Sequence, residues 1–329
     1  MSPFAEVIAG RTLDEAQAAD AFDAIFAGRV DEDTLADFLR AMSERKPTVP
    51  EITGAAKSMR ANMRSIEAPP DAIDLCGTGG DGLGTLNIST AVSFVVAAAG
   101  VPVAKHGNRS ATSRAGAADV LEALGVKIDL GPDAAQRCLD TAGSCFLYAR
   151  NFHPAMRHVA AVRSRLGMRT IFNLLGPLSN PARVKRQLVG VYAREWLEPV
   201  ARVLSALGTE RAWVVHGGDG LDEVTTTCET HVADLVGGEA LLFVLTPPRL
   251  AALADLKGGD AAHNAGAIRR LLDGETGPFR DIVVLNAGAA LVIAGKARDI
   301  GDGVALAEAA IASGRARRAL ERLIDVSNA

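Results

Sequence analysis

The chain has 329 residues, 48% of them hydrophobic and 22% charged, enough to bury a large core in one big domain or two unequal ones. Lysine plus arginine total 35 against 39 acidic residues, a net charge of -4. That gives no general attraction for nucleic acid or an anionic membrane, so any anion-binding surface must be local.

Four cysteines, Cys76, Cys138, Cys145 and Cys228, lie far apart with no CxxC pair, which fits neither a zinc knuckle nor a disulfide framework and suits a reducing cytosol. The start MSPFAEVIAG lacks a basic region followed by an apolar stretch. The longest apolar runs, such as residues 92–101, are too short to span a bilayer, so neither export nor membrane insertion is expected and the chain reads as cytoplasmic.

In chain order, Thr12 with Glu15 and Thr48 with Glu51 read as capping boxes, the second with Pro50 in its first turn. Between them, residues 31–45 place Leu35, Phe38, Leu39 and Met42 at helical spacing, an apolar stripe that needs a partner surface. The first 65 or so residues are therefore expected to be helical. Around EAPPDAIDL the texture changes to short apolar strands, glycine turns and helical stretches, the alternation of a largely parallel sheet. Later strands are expected at Gln187 to Tyr192, Ala212 to His216, Glu239 to Leu245 and Asp281 to Leu285, and residues 305–324 read as helical.

The first chemistry-bearing segment, IDLCGTGGDGLGTLNISTAVSF, runs from a strand through the glycines of Gly77 to Gly84 into a helix expected to begin near Asn87 to Thr90. Glycines let backbone approach a ligand, and the helix start offers free N–H groups to phosphate oxygens, with Ser89 and Thr90 adding hydroxyls. No GK[ST] closes the segment and it does not match GxGxxG, so it is neither a Walker loop nor a dinucleotide fingerprint. By itself it reads equally well as a turn that is glycine-rich for steric reasons.

Three further clusters accompany it. KHGNRSATS at 105–113 crowds Lys105, His106, Asn108 and Arg109 with three hydroxyls at the carboxyl end of a strand, the edge where open α/β sheets bind ligands; Lys105, Asn108 and Ser110 together suit a polyanion. HGGDGLDE places Asp219, Asp222 and Glu223 on one loop. Asp222-Glu223 suits magnesium, which commonly takes one or two carboxylates plus phosphate oxygens; without context a solvated acidic turn is the simpler reading. Residues 153–181 carry Arg157, Arg163, Arg165 and Arg169, one of which could pair a substrate carboxylate.

GTGGD at 77–81, NIST at 87–90, KHGNR at 105–109, ADVLEALG at 118–125, RTIFNLLGPLSNP at 169–181 and HGGDGLDE at 216–223 together resemble the anthranilate phosphoribosyltransferases, in order and spacing. The likeness extends to NAGAALVIAGKA at 286–297. It implies an α/β protein with a small all-helical domain, here 1–68 joined by helices from about 160–190, and a larger α/β domain, here 69–329, with a mostly parallel central sheet. The resemblance places the active site in the cleft between them and a homodimer through the helical domains. It implies transfer of phosphoribose from 5-phosphoribosyl 1-diphosphate (PRPP) to anthranilate in tryptophan biosynthesis, with Mg2+.

By motif position, the resemblance assigns PRPP to Gly77, Gly80, Asp81, Thr85, Asn87, Ile88, Ser89, Thr90, Lys105, His106, Gly107, Asn108, Arg109, Ser110, Ser113 and Ala117. It assigns anthranilate to Gly77, His106, Asn108, His153 and Arg163, with Arg163 on the carboxylate, and magnesium to Ser89, Asp222 and Glu223. Two positions depart from the pattern: Arg150 stands where many relatives carry proline, and Ala117 where serine is frequent. Arg150 is read as solvated, and Ala117 removes a possible phosphate contact. A pyrimidine nucleoside phosphorylase would not need the paired carboxylates, and a non-catalytic nucleic-acid binder would need a basic surface. A transferase for another aromatic acid fits the same motifs and stays open.

Overall fold

The computed structural model describes residues 1–109 and 114–329; the expectations at Ser110 and Ser113 fall outside them. Four helices come first: α1 (Pro3–Ile8), α2 (Glu15–Phe26), α3 (Glu32–Arg45) and α4 (Val49–Ala61). The start of α2 corrects the sequence reading. Its capping box is Asp14 with Gln17, not Thr12 with Glu15, because aspartate caps as well as threonine and lies two residues nearer the apolar stripe. At α4, the Glu51 carboxylate accepts from the Thr48 N–H at 2.8 Å and the Thr48 hydroxyl at 2.9 Å.

Strands and helices then alternate: β1 (Ile73–Gly77), α5 (Ile88–Ala98), β2 (Val103–Gly107), α6 (Ala117–Ala123), α7 (Pro132–Ala142), β3 (Ser144–Tyr148), α8 (Ala149–Phe152), α9 (Arg157–Leu166), α10 (Phe172–Leu178), β4 (Arg186–Gly190), α11 (Leu197–Ala206) and β5 (Arg211–Gly217). The hairpin β6 (Thr230–Val236) and β7 (Glu239–Leu245) follows, then α12 (Ala261–Leu272), α13 (Pro278–Ile293), α14 (Ile300–Ala312) and α15 (Arg315–Asn328). The expected strand at Asp281 to Leu285 is thus wrong: it is the first half of α13. A short apolar β-branched run cannot be told from a buried helix by periodicity, and the start signal, Gly277-Pro278, favours the helix. The helical reading of 305–324 divides into α14 and α15 at Gly314, which has φ +68°.

The seven strands form one sheet in the order β3-β2-β1-β4-β5-β6-β7, parallel through β5 and antiparallel in β5-β6-β7. Side chains alternate between its faces. Leu188, Trp213, Val215 and Val232 join the core made with α5, α13 and α15. Val189, Val214, Ala233 and Leu235 join a second core with α2, α3, α4, α10 and α11. Leu35, Phe38, Leu39 and Met42 are buried in that second core, so the apolar stripe of α3 finds its partner surface inside the chain. Helix α9 packs on α2 and α3, and α10 on α4 and against β1 and β2, so these helices tie the bundle to the sheet. Among the described residues no helix is long and apolar enough to cross a membrane.

Candidate active site

Strands β1, β2 and β3 step to one side of the sheet while β4 starts the other, so the crevice at the carboxyl ends of β1 and β4 is the topological switch point where such sheets bind ligands. Both strands end in glycine, Gly77 paired with Gly190, and the reason lies in the loop after β5. A Cβ on Gly190 would stand 2.9 Å from the Asp222 Cβ and closer still to its carbonyl group, and one on Gly77 would overlap the Asp222 carboxylate. Asp222 is laid across the switch point because nothing larger than hydrogen stands beneath it.

The glycine loop is sewn to this frame. Thr78 N–H donates to Gly190 O at 2.9 Å, Tyr192 N–H to Thr78 Oγ1 at 3.0 Å, and Gly79 N–H to Asp222 Oδ2 at 2.9 Å. Gly79 and Gly80 take φ +64° and +75°, backbone that an L side chain would strain. Arg169 donates to Gly80 O, with its guanidinium 4.3 Å from the centre of the Tyr192 ring.

Behind the loop, α5 begins at the same edge, where Ile88 N–H donates to Leu86 O at 2.8 Å and Ser89 N–H to the Glu223 carboxylate. Ser89, Glu223, Cys76 and Asn286 lie around one spot there. Lys105 is buried and reaches from β2 to donate to Leu75 O and, at 3.1 Å, to Ser89 Oγ. Burial, with repulsion from Asp81, raises the Asp222 carboxyl to about 6. Burial, with repulsion from Asp222, raises Glu223 to about 8, and Lys105 only partly offsets this. Burial raises Asp81 as well. Asp222 and Glu223 thus share one buried lysine while Asp81 repels both, an arrangement that gains from an added cation. Among the described residues no cluster of three or more His, Cys, Asp or Glu could by itself hold a metal; Asp222, Glu223 and the Ser89 hydroxyl suit a hard cation that brings phosphate oxygens with it.

The remaining sequence-assigned residues divide. Thr90 is fully buried with its hydroxyl unpartnered, while Thr85 bridges to Lys257 and Ile88 is core. Asn108 is exposed and its Oδ1 accepts from Arg109 N–H at 2.8 Å. The Arg109 guanidinium is committed to Asp119 and Glu122, each at 2.6 Å, so its charge is already matched. Gly107 leaves room for the Phe146 ring, and Ala117 opens α6. His106 and His153 are buried, their Nε2 atoms 3.2 Å apart, with His106 Nδ1 3.1 Å from Gly176 O. Burial lowers both rings, to about 3 and about 4.

Arg163 differs from Arg109. It is half-buried on α9, 5.5 Å from the centre of the Phe172 ring, with no carboxylate partner among the described residues. Burial lowers its pKa, the signature of a desolvated cation without a counter-ion. Arg150 is exposed.

Sequence reasoning missed Gly190 and the buried Asn264 and Asn286, and named Arg169 without giving it this role. Asn286 Oδ1 accepts from Val224 N–H at 3.0 Å and its Nδ2 donates to Val224 O at 2.7 Å, gripping the backbone beside Glu223. The signal was available: Asn286 is the one polar residue in IVVLNAGAALVI, and a polar group in such a run must find a partner.

A helical bundle ahead of an α/β sheet with a glycine loop and paired carboxyls at its switch point defines a class. The description "Glycosyl transferase family, helical bundle domain" matches residues 4–63, and "Glycosyl transferase family, a/b domain" matches residues 69–317. Anthranilate phosphoribosyltransferase of Mesorhizobium japonicum is 57% identical over 98% of this chain and 97% of its own. That of Methylocella silvestris is 54% identical over 97% and 93%. Among solved structures, anthranilate phosphoribosyltransferase of Thermus thermophilus superposes with a TM-score of 0.95 at 45% identity, covering 100% of both chains. The Saccharomyces cerevisiae enzyme in complex with PRPP and Mg superposes with 0.88 at 28% identity, over 96% and 94%. The chain belongs to the anthranilate phosphoribosyltransferase family.

Proposed function

We propose that the chain transfers the phosphoribosyl group of PRPP to the amine of anthranilate, giving N-(5-phosphoribosyl)anthranilate and diphosphate in tryptophan biosynthesis. The observation that carries this reading is the seating of Asp222 across the glycine ends of β1 and β4, hydrogen-bonded to the loop that would cradle the diphosphate. In this reading Asp222, Glu223 and Ser89 hold magnesium, which when bound neutralises charge on the departing diphosphate. The Gly77–Asp81 backbone and the start of α5 grip its oxygens, and Lys105 supplies the fixed positive charge beneath them.

Arg163 pairs the carboxylate of anthranilate, supported by its half-buried, unmatched guanidinium. An aryl amine is neutral near pH 7, so the chain needs no strong base. His106 and His153 are engaged with each other through Nε2 and act as the wall of the acceptor site. Positioning the two substrates supplies much of the acceleration. The four free cysteines suit a cytoplasmic location. The homodimer rests on family likeness alone, since the α3 stripe is consumed within the chain; a dimeric mass by light scattering would support it and a monomeric one would refute it.

The testing experiment follows anthranilate fluorescence with the purified chain. Loss that requires both PRPP and magnesium, with the phosphoribosylated product identified by mass, is expected. No loss with all components present would refute the reading.

A further inference from the structure

The second half of the glycine loop is braced by a segment that carries no recognised motif. Leu86 N–H donates to Leu256 O and Gly258 N–H to Gly84 O, both at 2.9 Å, and Lys257 Nζ donates to Leu83 O at 3.1 Å. A side chain on Gly258 would stand 3.0 Å from Leu86 N and nearer still to the Thr85 carbonyl, so the two segments lie backbone to backbone. The brace ends in Asn264, in the first turns of α12, with 1% of its surface exposed.

The bonds of Asn264 fix its orientation. Its Oδ1 must face Gly259 N–H, which donates to it at 2.8 Å, because an amide NH2 there would set donor against donor. The Nδ2 group is therefore turned to Asn87, where it donates to Oδ1 at 2.7 Å. That in turn settles Asn87: with its oxygen held by α12, its own Nδ2 is turned to Ala115 O, to which it donates at 3.3 Å. Asn87 is the N-cap residue of α5, at the mouth of the cradle.

We infer that Asn264 is a positioning residue for the sugar-diphosphate substrate: by dictating which way the Asn87 amide points, it presents an N–H donor to the cradle. This rests on the reading that the cradle takes PRPP. The polarity is what matters, so aspartate at 264 is the informative change. An ionised carboxylate would still accept from Gly259 N–H, but its second oxygen would repel Asn87 Oδ1. Asn87 would then flip, turning an acceptor toward an anionic substrate.

The experiment compares wild type, Asn264→Asp, Asn264→Leu and Asn87→Ala at about pH 8.5, where an introduced carboxyl is ionised. KM for PRPP, KM for anthranilate and Tm are measured for each. All three variants should raise KM for PRPP roughly tenfold, with KM for anthranilate within about twofold of wild type. Asn264→Asp should do so at least as strongly as Asn264→Leu. If either variant at 264 fails to fold, the other carries the comparison. Wild-type KM for PRPP in a folded Asn264→Asp or Asn264→Leu, or an equal rise in both Michaelis constants, would overturn the inference. Absence of PRPP-dependent turnover in wild type would instead overturn the wider functional reading.

Discussion

Gly190→Ala places one methyl group where the account has least room for it. The added carbon would come within 2.9 Å of the Asp222 Cβ and closer to the Asp222 carbonyl, whereas ordinary contact begins at 3.4 Å. The obstacle is backbone on both sides, so no rotamer relieves it, and the 222–224 segment must withdraw from β4 by about 1 Å or more. Withdrawal breaks the Gly79 N–H bond to Asp222 and pulls Glu223 away from Ser89. Overpacking of this kind costs roughly 1–3 kcal/mol of stability, and a displacement of about 1 Å in a catalytic array costs on the order of 100-fold in rate. Steady-state turnover across a magnesium series should show kcat/KM for PRPP down about 100-fold and a higher magnesium requirement. Tm should fall only modestly. Gly131→Ala, where an added Cβ meets nothing within 4 Å, serves as the control. Wild-type kcat/KM in Gly190→Ala would refute the argument that Asp222 is held by contact with the strand ends.

Arg163→Ala should raise KM for anthranilate on the order of 10- to 100-fold, the loss of a charge-assisted bond, while leaving KM for PRPP nearly unchanged; an equal effect on both would count against a carboxylate clamp. Asn286→Leu should raise the magnesium concentration for half-maximal rate roughly tenfold by loosening the backbone at Val224, which a magnesium titration reads directly. The pKa shifts of Asp222 and Glu223 set a pH dependence. Both are raised above 3.8 and 4.5, to about 6 and about 8, so their contribution to stability is complete below the unfolded values and lost as pH rises through the folded ones. The metal-free protein should therefore lose Tm between about pH 4 and 8. The double variant Asp222→Asn, Glu223→Gln should lose less, and parallel curves for the two proteins would contradict the assignment.

Much of this architecture was readable because the segments concerned declare themselves locally. The 3.6-residue stripe of α3, the glycine turn into α5 and the hairpin strand Glu239–Leu245 each carry their own periodicity or breaker signals. The helix at Asp281 was not readable, because a helix buried on all sides has no polar face to reveal its period. Asp222 and Glu223 were found as a chemical pair. What holds them is distributed over Gly77, Gly190, Gly79 and Asn286, up to 209 residues apart in sequence and joined only by the sheet order and the packing of α13 on it. Arg109 and Arg163 look alike in sequence; only the fold shows that one has two carboxylate partners and the other none among the described residues. Asn264 lay in a stretch with no motif, and its importance comes from being opposite Asn87.

The most direct test of the central claim is a crystal structure of this chain with Mg2+ and PRPP bound. The account predicts the diphosphate between the Gly77–Asp81 loop and the start of α5, with magnesium bridging its oxygens to Asp222 and Glu223. Diphosphate bound away from the β1–β4 switch point, or magnesium with no ligand from Asp222 or Glu223, would contradict it.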